Sequence, residues 1–147
     1  MKRVRKLLRL SATDWLLLVK AAFWVGAIRL GLWLLPFQSL LRLLSGQTRR
    51  AARAQGADQQ TVRRITWAVR VTSRYVPAAT CLPHALAARV LLARVGQPAD
   101  IRIGVAKGGV GKLHAHAWVE IEGKVIIGKS ADLAQFTVLP SIGAETL

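Results

Sequence analysis

The sequence is poor in cysteine, methionine, tyrosine and acidic side chains. Its 147 residues include one Cys, one Met and one Tyr, and seven Asp or Glu stand against 22 Lys or Arg, which gives a net charge of +15. A single cysteine excludes an internal disulfide, and no stretch combines the short apolar run and small-residue cleavage site of a secretory signal. We therefore expect a cytoplasmic protein with one modest core.

The basic residues are concentrated in the first half of the chain. Residues 2–74 hold fifteen Lys or Arg but only two acidic residues, whereas the remainder is nearly balanced. This division predicts a basic, apolar helical region over residues 1–57 and a separate domain over residues 58–147. A basic region suits phosphates, anionic lipid or an acidic protein. Nucleic acid is not expected, because the tryptophans lie among aliphatic side chains rather than between the charges.

The first long apolar run predicts a helix. Ser11 and Asp14 are typical of a capped helix start, and Pro36 is expected to end the helix. Lys20 and Arg29 interrupt the run, so a full membrane span is not expected. Three interpretations stay open at this point: a core helix, a helix covered by a partner protein, and an amphipathic helix at a membrane surface.

Two further helices are predicted before the cysteine. The second begins after Pro36 and is expected to end at Gly46. Residues 47–57 are small and basic and indicate a mobile connection or a frayed helix. Asp58 then caps a third helix, which Pro77 is expected to stop.

A fourth, buried helix is predicted from Cys81, with Pro83 tolerated in its first turn. After Gly96 the apolar period changes from helical spacing to two, which indicates strands. The expected order is strand 99–106, strand 113–121, a tight turn at 122–123, strand 124–128 and a last helical turn within 130–136. Helices followed by a small antiparallel sheet define an α+β fold.

The order of the cysteine and the histidines suggests nucleophilic chemistry. Cys81 stands at a helix start, where the positive end of the helix dipole stabilises a thiolate. A nucleophilic thiol also needs an imidazole to carry protons. His114 and His116 lie on one face of the predicted strand 113–121, and either of them can be brought alongside the cysteine. Papain-like and transglutaminase-like folds use this order of helix cysteine and strand histidine.

Metal binding is the main alternative for the same residues. Cys81 and His84 are one helical turn apart, and His114 and His116 share a strand face. One cysteine and three histidines are enough for a tetrahedral zinc site. The chemistry of the residues alone therefore leaves both a thiol enzyme and a zinc-binding domain open. A non-catalytic, basic membrane-associated module is a further alternative, because of the charge of residues 1–75.

Three sequence blocks resemble a known family. In order, they are C81-L-P-H-A-L86, G96-Q-P with G104-V105, and H116-A-W-V-E-I-E-G123. Their order and spacing, over about residues 78–139, resemble the transglutaminase-like leader peptidases of lasso-peptide biosynthesis. The apolar, basic N-terminal region is similar to that of the short, stand-alone form of the enzyme, the microcin-processing protein family.

This resemblance implies a cysteine peptidase without a cofactor or metal, in which Cys81 is the nucleophile and His116 is the base. It implies that the substrate is a ribosomally made precursor peptide whose leader is removed. The implied partners are a small leader-recognition protein and an asparagine-synthetase-like cyclase. Peripheral membrane contact through the N-terminal helices is a further expectation, which would make the cytoplasmic protein membrane-associated.

The third catalytic group is less well defined by the sequence. If residues 122–123 form a two-residue turn, His116 faces Lys129, and no carboxylate stands there. Asp132 is the predicted orienting residue, while Glu120 or a backbone carbonyl remain alternatives. His84 departs from the family pattern and is interpreted as a helix-surface residue near the site.

Overall fold

The computed structural model describes residues 9–51, 56–76 and 80–140, without the side chains of residues 47–51. Within these residues, four helices precede a small antiparallel sheet, which confirms the predicted α+β fold. The helices are α1 (Ala12–Leu34), α2 (Phe37–Ala51), α3 (Gln59–Ser73) and α4 (Cys81–Arg94). The strands are β1 (Asp100–Lys107), β2 (Leu113–Ile121), β3 (Lys124–Ile127) and β4 (Thr137–Val138).

Helix α1 begins and ends where the sequence predicts. The Ser11 hydroxyl accepts a hydrogen bond from the backbone N–H of Asp14, which satisfies one of the free donors of the first turn. The helix ends at Leu34, two residues before Pro36. The Asp14 carboxylate lies 2.6 Å from the Arg64 guanidinium, so an ion pair joins α1 to α3.

Helix α2 does not end at Gly46, and that prediction is wrong. The helix continues through Gly46 to Ala51. A glycine ends a helix when the backbone turns left-handed there, whereas inside a helix it costs only about 1 kcal/mol relative to alanine. Leu40 and Leu44 are buried and anchor the helix on the core. The connection predicted over residues 47–57 includes residues 52–55, which lie outside the described residues.

Helix α3 is capped as expected by Asp58, whose carboxylate accepts from the backbone N–H of Thr61 at 2.9 Å. The helix ends at Ser73, and the predicted stop at Pro77 lies outside the described residues.

Helix α4 lies at the centre of the fold. It packs against all three other helices and against β2, and it contributes the largest share of the buried core.

The four strands are antiparallel and lie in the order β3-β2-β1-β4. The turn at Glu122 and Gly123 has positive φ at both residues, 50° and 77°, as a type I′ hairpin turn requires. Ile121 pairs with Lys124 as predicted. The last helical turn expected within 130–136 is present as a short 3₁₀ turn, Leu133–Gln135.

Strand β3 carries a bulge. Glu120 pairs with Val125 and Val119 pairs with Ile127, so one extra residue, Ile126, is inserted in β3. The pairing ends at Val119. Within the described residues, the first six residues of β2 therefore have β1 as their strand partner on one side and no strand on the other.

Candidate active site

Cys81 is the first residue of α4, and its side chain is half-buried against β2. Its Sγ accepts a hydrogen bond from the backbone N–H of Ala117 at 3.3 Å. Ala117 is the residue after His116, at the place where β3 no longer covers the edge of β2. The N-cap residue, Thr80, makes no side-chain hydrogen bond to the helix. The N–H groups of Cys81 and Leu82, at the first two positions of α4, have no acceptor within the helix.

His116 is held by a backbone carbonyl. Its Nε2 lies 2.7 Å from the carbonyl oxygen of Gly128, just after β3 ends. Because a carbonyl only accepts, Nε2 carries the proton and the neutral ring keeps its lone pair on Nδ1. Both Cys81 and His116 are described, and their side chains make no hydrogen bond with each other. The sulfur instead contacts the strand backbone one residue beyond the histidine.

Two aromatic rings flank the imidazole. The Trp118 ring lies nearly parallel to it, with 6.1 Å between centroids, and the Phe136 ring lies 5.6 Å away at 41°. Gly104, opposite His116 on β1, makes room for both rings. A Cβ there would lie 2.8 Å from the Phe136 Cβ and 2.9 Å from the Trp118 ring. The imidazole therefore has a packed apolar wall, which limits its rotation.

Glu120 supports this wall. Its carboxylate accepts from the Trp118 indole N–H at 2.8 Å and is 3.3 Å from Nε of Arg102. Trp118 is only 3% exposed, so its indole N–H depends on this partner. Glu120 points along the strand, as the sequence suggests, and is engaged by these two residues rather than by the imidazole.

Asp132 lies beyond the end of β3, just before the short 3₁₀ turn. Its backbone N–H donates to the Ser130 hydroxyl at 3.4 Å. Its carboxylate makes no hydrogen bond or ion pair to any of the described residues. Lys129 is not paired with His116, because the bulge at Ile126 shifts the register and the described ladder stops at Val119–Ile127.

His84 is not on the helix surface, and that interpretation is wrong. The residue is 7% exposed, and its Nδ1 lies 3.0 Å from the Thr80 carbonyl, one turn back in the helix. Nε2 is buried and has no partner within the described part of the chain. The apolar surroundings of α4 on all sides account for this burial.

The zinc alternative is not supported. It requires Cys81, His84, His114 and His116 around one ion, and all four residues are described. Across residues 9–51, 56–76 and 80–140, no group of three or more Cys, His, Asp or Glu is arranged to hold a metal. His114 is exposed, and its ring lies against Gly108, in the loop between β1 and β2.

The sequence left a backbone carbonyl open as the orienting group, but it did not identify Gly128 or Phe136 as neighbours of the imidazole. Gly128 acts through its backbone, and backbone atoms carry no sequence signal except that φ of +81° favours glycine. Phe136 and strand β4 were missed because two strand residues are too few to show a period. The bulge at Ile126 was missed because the run of three apolar residues in β3 fits either register.

The helix-borne cysteine against a central antiparallel strand with a histidine defines a transglutaminase-like α+β domain. The sequence matches the family model of the transglutaminase-like superfamily over residues 22–141, and the chain belongs to this superfamily. The match begins within α1 and ends just after β4. No curated protein and no solved structure matches the chain. Membership is consistent with a cysteine-peptidase type of activity.

The length and composition of helix α1 bear on whether the protein is located at a membrane. By length and composition, Ala12–Leu34 is able to cross a membrane, and some core helices of globular proteins and signal sequences have the same length and composition. Ala21 and Val25 on its inner face are fully buried against the rest of the protein.

Proposed function

We propose that this protein is a cysteine peptidase that removes the leader from a lasso-peptide precursor, in the maturation of a ribosomally made antibiotic-type peptide. The observation that carries the proposal is the contact between Cys81 Sγ and the backbone of Ala117, next to His116. It supports the pairing of the thiol and the imidazole that a thiol hydrolase needs. The three sequence blocks support the choice of substrate within the superfamily.

The first chemical step is acylation. The Cys81 thiolate attacks the carbonyl of the scissile peptide bond, so that an S–C bond forms and the C–N bond breaks. The proton that left the thiol is held on Nδ1 of His116 and is then given to the departing amine. The N–H groups of Cys81 and Leu82, which have no acceptor within α4, are suited to stabilise the oxyanion that forms on the carbonyl oxygen.

The second step is hydrolysis of the thioester. His116 removes a proton from water, hydroxide attacks the acyl carbon, and the S–C bond breaks to regenerate the thiol. The leader leaves as a carboxylate, and the core peptide has gained a free α-amine in the first step. An asparagine-synthetase-like cyclase would then join this amine to a side-chain carboxylate.

Asp132 is proposed as the carboxylate that orients the imidazole during the reaction. It is the acidic residue closest in sequence to Gly128 on the segment that follows β3. The carbonyl of Gly128 is the competing candidate, since it already accepts from Nε2. The two differ in charge, and only a carboxylate stabilises an imidazolium by an ion pair.

A small leader-recognition protein is the proposed substrate-binding partner. The precursor would be held by this protein and presented to Cys81, so the chain alone is expected to bind precursor weakly.

The boundary between residues 1–57 and 58–147 remains a proposal. Both parts share one hydrophobic core in which α1 and α2 pack on α4.

The proposal is tested with the full-length protein, a synthetic precursor peptide and the leader-recognition protein. Product is measured by mass spectrometry. Cys81→Ala is expected to abolish cleavage, and His116→Ala is expected to lower kcat/KM by about 10²–10⁴-fold, the usual contribution of a general base. His114→Ala is the matched control, because it removes an exposed histidine two residues away on the same strand. We expect it to cleave at the wild-type rate.

Two outcomes would contradict the proposal. Cleavage that survives Cys81→Ala would exclude the thiol as the nucleophile. Equal losses in His116→Ala and His114→Ala, with circular dichroism unchanged, would exclude a specific role for His116.

A substrate-free check is available because the chain has one cysteine. Iodoacetamide labels one site, and His116→Ala should slow labelling at pH 7 while His114→Ala should not.

A further inference from the structure

Helix α1 has one buried side and one exposed apolar side. Ala21, Val25 and Ile28 pack into the core at 0–1% exposure. With about 3.6 residues per turn, the large apolar residues of α1 that stay exposed fall together on the opposite side. Phe23 is 65% exposed and Trp33 is 82% exposed. This exposed side, the outer face of α1, comprises Trp15, Leu16, Val19, Phe23, Leu30 and Trp33.

The apolar surface extends beyond α1 onto its neighbour. A groove of about 300 Å³ lies between α1 and the end of α3, and its lining is almost entirely apolar. Val71, Tyr75 and Val76 line it opposite Trp15, and Tyr75 is 62% exposed. The exposed surface is therefore a broad patch formed by two helices, and patches of this kind on soluble proteins usually mark a docking site.

The exposed charges of the two helices that form this patch are positive. Lys20 on α1 and Arg63 and Arg74, on or just after α3, are exposed, while Arg70 donates to the Ile126 carbonyl of β3. The only acidic residue of α1 is Asp14, which is bound to Arg64. Residues 2–74 carry fifteen basic side chains and two acidic ones. A second copy of the chain would bring the same surplus to the interface, whereas an anionic surface would neutralise it.

We propose that the outer face of α1 docks the protein on an anionic lipid surface, with the helix lying in the plane of the membrane. An exposed apolar helix face with aromatic residues and neighbouring basic groups is the usual composition of such an interfacial helix. A transmembrane position would require α1 to leave the core, because Ala21 and Val25 are fully buried. The proposal does not depend on the chemistry of Cys81.

Co-sedimentation of the full-length protein with vesicles tests the proposal. One set of vesicles is phosphatidylcholine, and the other is phosphatidylcholine with one quarter phosphatidylglycerol. We expect binding to the anionic set, weakened several-fold when NaCl rises from 0.1 to 0.5 M. Phe23→Asp and Trp33→Asp should each lower the partition coefficient about tenfold or more, because each removes a large apolar group from the contact. Sodium carbonate at pH 11 should release the bound protein.

Val110→Asp is the matched control. Val110 is 99% exposed in the loop between β1 and β2, so this variant adds the same charge to an exposed apolar position away from α1. We expect it to bind as the wild type does. Thermal unfolding of all three variants checks that the fold is intact.

Several results would overturn the proposal. They are no binding to anionic vesicles, equal binding to both vesicle types, binding that Phe23→Asp and Trp33→Asp leave unchanged, and resistance to carbonate. Two further measurements test other occupants of this face. They are light scattering of the protein alone and a binding assay with the leader-recognition protein. A dimer that Phe23→Asp converts to a monomer, without lipid binding, would assign the face to a second copy. Binding to the leader-recognition protein that needs Phe23, without lipid binding, would assign it to that partner. Each of these results leaves the proposed peptidase activity standing.

Discussion

The imidazole Nε2 of His116 donates a hydrogen bond to the backbone carbonyl of Gly128 over 2.7 Å. This contact fixes the tautomer, because the carbonyl cannot donate, and it leaves Nδ1 as the basic nitrogen. The carbonyl orients the ring without adding a negative charge. The ring is also packed between Trp118 and Phe136, so its position is determined by backbone and aromatic contacts.

Gly128→Ala should disturb this arrangement. Gly128 has φ of +81°, and a Cβ there would lie 2.8 Å from the Ala117 carbonyl oxygen. We expect the free energy of unfolding to fall by about 1–3 kcal/mol, as for a non-glycine residue forced into a left-handed conformation. Cleavage should fall further than stability, because the Gly128 carbonyl must move. Urea unfolding and the cleavage rate measure the two effects.

Gly109→Ala is the control for this substitution. Gly109 has open space around it and φ outside the left-handed region. Both stability and cleavage should stay close to wild type. Equal behaviour of the two alanine variants would show that the Gly128 backbone has no special role.

Asp132→Asn distinguishes the two candidates for the orienting group. If the carboxylate takes part in the reaction as proposed, kcat/KM should fall about 100-fold or more, with little change in stability because the side chain is exposed. The pH profile of kcat should also change, since an imidazolium loses its counter-ion. An Asp132→Asn enzyme with wild-type kinetics would eliminate Asp132 and leave the Gly128 carbonyl as the orienting group.

Glu120→Ala should act through Trp118. It leaves the indole N–H of a nearly buried tryptophan without its 2.8 Å partner, at a cost of about 1–3 kcal/mol. Glu120→Gln retains an acceptor for the indole and loses only the part-buried ion pair to Arg102. We therefore expect the glutamine variant to recover most of the stability in urea unfolding. If both variants are equally destabilised, the ion pair and not the tryptophan bond is the important contact.

The ion pair between α1 and α3 gives stability a dependence on acid. The hydrogen bond from the Ser11 hydroxyl, together with Arg64, holds the pKa of Asp14 below its ordinary value of 3.8. A lowered folded-state pKa contributes stability that is fully present above about pH 3.8. That contribution is lost as the pH falls through the folded-state value.

Asp14→Asn should therefore lower the midpoint of thermal unfolding at pH 7, and the difference from wild type should shrink toward pH 3. Lys20→Gln is the control, because it removes an exposed charge of the same helix that has no ion-pair partner within the described residues. A difference between wild type and Asp14→Asn that is the same at pH 7 and pH 3 would contradict this linkage.

Most of the fold could be predicted because its signals are local. Ser11 and Asp58 cap helices through their own side chains, and Pro36 removes a donor that α1 would need. The end of α2 could not be predicted, because a glycine such as Gly46 stops a helix only when the following chain turns away. That choice depends on tertiary packing, here of Leu40 and Leu44.

The candidate site was less accessible to sequence reasoning. The sequence shows that Cys81 at a helix start precedes His116 on a strand, an order that suggests thiol chemistry. The relative position of the two residues, however, follows from how α4 crosses β2. The bulge at Ile126 determines which atom meets the imidazole, and an apolar strand gives no sign of one extra residue. The burial of His84 likewise depends on the helices that surround α4.

The start of β2, before Ala117, has no strand partner on one side within the described residues, and this has a consequence for how the protein behaves at high concentration. Unpaired backbone groups along a strand edge are a template for a strand from another chain, and Leu113 beside them is 73% exposed. A charge of +15 on each molecule opposes that encounter. Salt screens this repulsion beyond about 10 Å at 0.1 M, so the tendency to aggregate should rise with ionic strength.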